Sequence, residues 1–362
     1  MKEVLELASE LIRTQPTSPS RAKISLQIAA KWLEMRGVPV TLKEERGVEA
    51  LVAYVGGGEK TIVLNGHLDV VPGRTEQFLP EVREGRLYGR GSYDMLGAVA
   101  AMMHVVAHLT KNPPWCRVVL MLVPDEETAG RGTKMLVRCG YVGDFVICGE
   151  PSNLGIGVQA KGILQLAVRV QGVAAHGSRP WLGDNAILKA VELYRGIENL
   201  PFAGETSPFF SGPSINLAKI RGGRVYNQVP PDCYMGVDIR FLPGQNSQEI
   251  LRQIRSLSGP NRVRVISRSP AVQTSPDNPY VLQLTKTVAS VTGYEPRLFG
   301  QDGAADTRYF SQHGIPAVEF GPAGANHHGD DEYVDIGSLE TFMKILTLYI
   351  RDFPGVETKA AR

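Results

Sequence analysis

The 362 residues carry 39 Lys and Arg against 37 Asp and Glu, a formal net charge of +2, with 43 % hydrophobic residues. That balance argues against nucleic acid as the main partner, while leaving room for a local basic patch, and nothing in the composition points to extensive disorder. A chain of this length exceeds the usual single core, so two domains are expected.

The opening run, Met1-Lys2-Glu3-Val4-Leu5-Glu6-Leu7-Ala8, has the pattern of an amphipathic helix reaching about Arg13. It is charged where a secretory leader needs an unbroken apolar stretch. No segment approaches the roughly 20 apolar residues of a membrane span. The 4 Cys include no Cys-x-x-Cys pair, which favours free thiols. Together these point to a cytoplasmic protein with no membrane partner.

A second helix is predicted over 22–35, ending at Gly37. The run 61–65 is short, β-branched and followed by glycine, the signature of a buried strand. Residues 98–109 read as a buried helix, 117–123 and 144–148 as strands, and 133–138 as the helix between them. Nearly continuous apolar strands alternating with helices predict an α/β domain, a mostly parallel sheet covered by helices. After Gly162 the texture changes. Runs 163–170 and 237–241 alternate, with a helix at 185–194 between them, which predicts an inserted α+β unit with an antiparallel sheet. After Pro276 the first texture returns as a helix at 279–291, a strand at 316–320 and a helix at 339–349. The expected division is 1–162 with 272–362 for the discontinuous domain, and 163–271 for the insert.

Acids and histidines gather beyond the carboxyl ends of the predicted strands, where open α/β sheets place ligands. They are Gly66-His67-Leu68-Asp69, Gly89-Arg90-Gly91-Ser92-Tyr93-Asp94, Asp125-Glu126-Glu127, Gly149-Glu150-Pro151 and His327-His328-Gly329-Asp330-Asp331-Glu332. One such element alone is an ordinary turn or cap. Five at one sheet edge would repel one another or pay desolvation unless cations neutralised them. In the His-x-Asp spacing, His67 can bind a cation while Asp69 accepts from its other ring nitrogen. Two divalent cations sharing one carboxylate, about 4 Å apart, are a common hydrolytic device. Nitrogen and oxygen donors without thiolate suit zinc, with cobalt and manganese sharing the preference.

These motifs resemble the zinc deacylase and exopeptidase family of acetylornithine deacetylase, succinyl-diaminopimelate desuccinylase, aminoacylase and glutamate carboxypeptidase, over residues 5–349. The resemblance implies that Asp94 bridges two metals, one completed by His67 and Glu150 and the other by Glu127 and His328. It implies Glu126 as the general base that becomes the acid toward the departing amine, and Asp69 as the orienting partner of His67. His327 fits the family spacing less well and reads as a neighbour. By the same resemblance the insert is a lid and dimerisation domain of a homodimer. His176, in Gly172-Val173-Ala174-Ala175-His176, would then steady the oxyanion in the other subunit's site.

Candidates for holding a substrate carboxylate are Asn227, Arg240 and Arg308, the last beside Asp306. Two departures stand out: Leu96 where many relatives have lysine, and Ala305 where a threonine often precedes the aspartate. The implied activity is di-metal hydrolysis of a small N-acylated amino acid. Carboxypeptidase or dipeptidase action on a short peptide is the alternative within the class, and an inactive binding homologue the alternative outside it.

Overall fold

The apolar run after Lys60 forms the strand Thr61–His67, and its neighbours follow from the same chemistry. Arg117–Val123, Thr61–His67, Phe145–Cys148 and Ala317–Glu319 lie side by side and parallel. Their side chains are almost all buried, as strands covered on both faces must be. The computed structural model describes residues 1–354, so the last eight residues of the expected 272–362 segment lie outside the described residues.

On one side of these four, the hairpin Val40–Glu45 and Val48–Gly56 adds two antiparallel strands. On the other side Ile156–Ala160 pairs antiparallel with Ala317–Glu319. The sheet is therefore mixed, with a parallel centre. The helices Lys2–Arg13, Gly97–Leu109, Pro279–Thr292 and Ile336–Arg351 pack on this scaffold. Gly97–Leu109 is buried nearly all round, which its run of Ala, Val and Met permits. A small antiparallel sheet pairs Glu81–Arg83, Arg86–Tyr88, Tyr333–Asp335 and Gly324–Ala325.

Two compact units make up the chain. One comprises Met1–Val158, Thr274–Phe299 and the residues from Ala305 on; the other comprises Gln159–Gln273 and Gly300–Ala304. The second is an inserted α+β unit. Its four antiparallel strands run in the order Ser214–Gly222, Asp232–Phe241, Gly162–Gln171, Arg262–Ser269. Leu164, Leu166, Val168 and Val170 alternate inward with Cys233, Met235, Val237 and Ile239, and bury against the helices Ala186–Glu198 and Ser247–Ser258. That is the period-two pattern of a sheet covered on one face. Asn185 and Asn246 cap the two helices by accepting from the first-turn N–H groups.

Candidate active site

Because the four central strands are parallel, their carboxyl ends share one edge. His67 pairs in register with Val123, and Asn65 and Glu319 with Cys148. The segments beginning at Leu68, Pro124, Gly149 and Phe320 therefore all leave the sheet there, carrying the acids and histidines with them.

His67 is 2 % exposed, and its Nδ1 lies 2.8 Å from the main-chain carbonyl of Asp69. That contact fixes the tautomer with the proton on Nδ1 and leaves Nε2 as the ligating nitrogen. The orientation thus comes from the carbonyl of Asp69, rather than from its carboxylate as the spacing alone suggests. The carboxylate, 3.7 Å from Nδ1, instead accepts from the backbone N–H groups of Glu126 and Glu127, each at 3.0 Å. It thereby ties the loop bearing both glutamates to the strand bearing His67. Burial pushes the Asp69 carboxyl up to about 6 against these bonds.

Asp94 stands between two imidazoles. Its Oδ1 is 3.2 Å from His67 Nε2, and its Oδ2 is 3.1 Å from His328 Nε2. His328 Nε2 is also 2.9 Å from Glu127 Oε1, and Glu150 Oε2 is 3.9 Å from His67 Nε2. One carboxylate thus meets a histidine on each oxygen, and each histidine is backed by a further carboxylate. Potential ligand atoms of His67, Asp94 and Glu127 lie within 4.8 Å of one another, a divalent-cation site in its own right.

The electrostatics agree. Burial opposes ionisation of Asp94, yet the two histidines hold its carboxyl well below the usual range. Burial would depress His67, but Asp94, Glu150 and Asp69 together push it well above its usual value. Glu150 is driven well up by burial. So many carboxylates in one buried pocket need positive charge, and the donor set of imidazole nitrogens and carboxylate oxygens fits a divalent cation.

Glu126 points to a different task. Its ion-pair partner is Arg308, with Nη1 3.6 Å from Oε1, and burial together with Asp306 pushes its carboxyl up to about 8, against His67 and Arg308. Asp125, the first of the three acids, has a structural duty: it accepts from the N–H groups of Arg131 and Gly132 at 2.9 and 2.8 Å and so opens the helix Arg131–Arg138.

Glu332 is a residue whose role the motifs did not assign. It is 2 % exposed and accepts from Gly91 N, Tyr93 N, Asp94 N and Arg90 Nη1, at 2.8 to 3.1 Å. It therefore builds the loop that presents Asp94. Gly91 in that loop has φ 82, and a Cβ there would meet Val70 Cγ1 at 2.5 Å, so only glycine fits. Arg90 Nη2 also reaches the carbonyl of His328 at 3.2 Å, coupling the loop of Asp94 to that of His328. The signal in the sequence was the acidic pair Asp331-Glu332, whose second member is the buried one. His327 is exposed and packs edge-on against Tyr93, in keeping with a neighbour's place.

Residues 63–352 match peptidase family M20/M25/M40. The chain belongs to peptidase family M20/M25/M40. The curated relatives span it almost end to end. A candidate [LysW]-lysine/[LysW]-ornithine hydrolase of Pyrobaculum aerophilum is 31 % identical, covering 97 % of this chain and 97 % of its own. Succinyl-diaminopimelate desuccinylase 2 of a Ruegeria species is 27 % identical, over 98 % and 96 % respectively.

Among solved structures, an aminopeptidase of Bacillus cereus superposes with a TM-score of 0.83 at 19 % identity, covering 97 % of this chain and 98 % of that one. A metallo-carboxypeptidase of Sulfolobus solfataricus gives a TM-score of 0.77 at 18 % identity, covering 97 % and 99 %. At such identities these show the common fold. Family membership and the His67, Asp94, Glu127 cluster make the chain a metal-dependent hydrolase of the M20 class.

Of the other expected site residues, His176, Asn227 and Arg240 lie in the inserted unit. His176 is exposed; its Nδ1 is 2.8 Å from Ser178 Oγ and accepts from Ser178 N at 3.2 Å. The segments carrying His176 and Asn227 are zipped together, Gly177 N donating to Asn227 O at 2.7 Å and His176 bridging Gln228. Arg240 lies on the strand Asp232–Phe241 and pairs with Asp238 at 3.3 Å. Arg308 belongs to the first unit and stands beside Glu126, Asp306 and Tyr309.

Proposed function

We propose that this M20 hydrolase holds two divalent cations, most readily zinc, and removes an acyl group from a small N-acylated amino acid. The observation that carries the reading is Asp94 facing an imidazole on each oxygen, with Glu126 set apart from that cluster. His67, Glu150 and Asp94 would hold one cation, and His328, Glu127 and Asp94 the other. Bound cations would supply Lewis acidity toward the substrate carbonyl and the attacking water.

The chain's own residues supply the proton traffic. Glu126 takes the proton from water and returns it to the departing nitrogen, a task suited to a carboxyl whose proton affinity lies near neutrality. His176, whose Nδ1 accepts from Ser178 N, carries its proton on Nε2 and is equipped to donate to an oxyanion. Its exposure within the inserted unit supports action on a second subunit's site. So do Trp181, Leu182, Leu188 and Val191 of the same unit, large apolar side chains left exposed, of the kind homodimers cover. Asn227 and Arg240 are read as carboxylate-binding residues. The pairing of Arg308 with Glu126 favours a positioning role over direct substrate contact.

Deacylation is favoured over carboxypeptidase or dipeptidase action because four curated relatives spanning nearly the whole chain are named for hydrolysis of [LysW]-lysine and [LysW]-ornithine or for desuccinylation of succinyl-diaminopimelate. Lysine, ornithine and diaminopimelate are all amino acids with a second amine, so the released product is read as a diamino acid. The test is a panel of N-succinyl, N-acetyl and N-formyl derivatives of lysine, ornithine and diaminopimelate beside dipeptides, on metal-reconstituted protein. At least tenfold higher kcat/KM on an acylated diamino acid is expected; faster dipeptide cleavage would overturn the substrate assignment.

A further inference from the structure

Glu126 is ion-paired with Arg308 at 3.6 Å, and Arg308 is a long and flexible side chain that must itself be anchored. Tyr309 accepts from Arg308 Nη2 at 3.2 Å, and the guanidinium lies 4.7 Å from the centre of the Tyr309 ring. Gly130 makes room for both. Its φ is 58, and a Cβ there would lie 2.7 Å from Arg308 Nη2 and 2.5 Å from the Tyr309 hydroxyl. The third neighbour is Asp306, whose Oδ1 is 3.8 Å from Nη2.

Asp306 is 1 % exposed, and a buried carboxylate needs a reason to be there. It makes no side-chain cap bond at the start of its own helix, Thr307–Ser311. The N–H groups opening the nearby helix Arg131–Arg138 are already taken by Asp125. Its Oδ2 instead receives Thr133 Oγ1 at 2.5 Å, while its Oδ1 has no hydrogen-bond donor among the described residues and is left facing the guanidinium. Thr133 is fully buried and fixed in turn by Asn65, whose Nδ2 reaches Oγ1 at 3.3 Å. Asn65 lies two residues before His67 on the same strand.

We propose that Thr133 and Asp306 are positioning residues: they lock Arg308 against Glu126 and so aim that carboxylate, without touching substrate. The inference rests on the reading of Glu126 as the base. The hydroxyl of Thr133 fixes the plane of the Asp306 carboxylate; that carboxylate fixes the guanidinium; and the guanidinium restrains Oε1 of Glu126. A base aimed wrongly by a fraction of an ångström loses rate in the chemical step, whereas ground-state binding is left alone.

The test is steady-state kinetics on metal-reconstituted Thr133→Val, Thr133→Ser and Glu126→Gln, each with its metal-to-chain ratio and melting temperature. T133V should lower kcat by about 10- to 100-fold with KM changed less than about threefold and metal content retained, and T133S should recover kcat to within about threefold of wild type. Should T133V fail to fold, Asp306→Asn, which keeps the shape and the bond from Thr133 but loses the charge, is expected to show the same loss in kcat alone. Wild-type kcat in T133V, or an equal loss in T133V and T133S, would overturn the positioning role even with E126Q inactive. Wild-type kcat in E126Q would instead overturn the reading of the base.

Discussion

Each oxygen of Asp94 faces a different histidine, so a change at this one side chain should be felt by both halves of the site. Asp94→Asn should abolish tight binding of both cations, while Glu127→Gln should mainly weaken the one shared with His328; metal analysis after dialysis checks the difference. The metal-free site also predicts a pH dependence. A hydrogen bond to Asp94, with Glu127 adding to it, outweighs burial and raises His328 to about 9. Below that pH the imidazole of the metal-free protein carries a proton that a cation must displace. Affinity should therefore rise with pH up to about 9, with protons released on binding, as calorimetry in buffers of different ionisation enthalpy would show. Affinity independent of pH over 6 to 9 would contradict it. The residues were legible as types and positions, because acids and histidines at strand ends stand out against apolar runs. How Asp69 orients His67 was not, since spacing cannot tell a carbonyl at 2.8 Å from a carboxylate at 3.7 Å.

At the scale of elements, the four central strands were readable because burial on both faces demands continuous apolar sequence. The hairpin Val40–Glu45 and Val48–Gly56 was not, for a physical reason. Its first strand is largely half-exposed and polar, and its turn is Arg46-Gly47 in place of the usual Asn-Gly. Arg46 and Gly47 have φ of 54 and 78, the left-handed pair a two-residue turn of this kind requires. Arg46→Asn should accordingly raise stability by about 0.5 kcal/mol, read as a higher melting temperature with unchanged turnover. Two strands of the inserted unit, Ser214–Gly222 and Arg262–Ser269, escaped notice because none of their residues is fully buried. The helix Ser247–Ser258 has a sequence signal in Asn246 at its start, and Asn246→Ala should cost about 1 kcal/mol by removing the cap.

For the whole molecule, the parallel register gathers four chain segments at one sheet edge, and that gathering assembles the site, which no single motif could do alone. The inserted unit carries His176 and an exposed set of apolar side chains, Trp181, Leu182, Leu188 and Val191, and no helix among the described residues is long and apolar enough to cross a membrane. If that surface pairs with its copy and His176 serves the partner's site, Trp181→Glu should convert dimer to monomer in sedimentation. Activity should fall with it, with metal content unchanged. A fully active monomer would remove both the dimer and the trans histidine from the account. The family was readable from five short motifs together, whereas the acyl group was not, since its pocket is not written in them.

Turnover of Glu126→Gln, measured alongside its metal content, separates the proton carrier from the two-cation site that it serves. The variant is expected to hold two cations per chain, as the wild type does, with kcat lower by roughly 10²- to 10⁴-fold. Wild-type turnover in that variant, or loss of metal with the loss of activity, would contradict it.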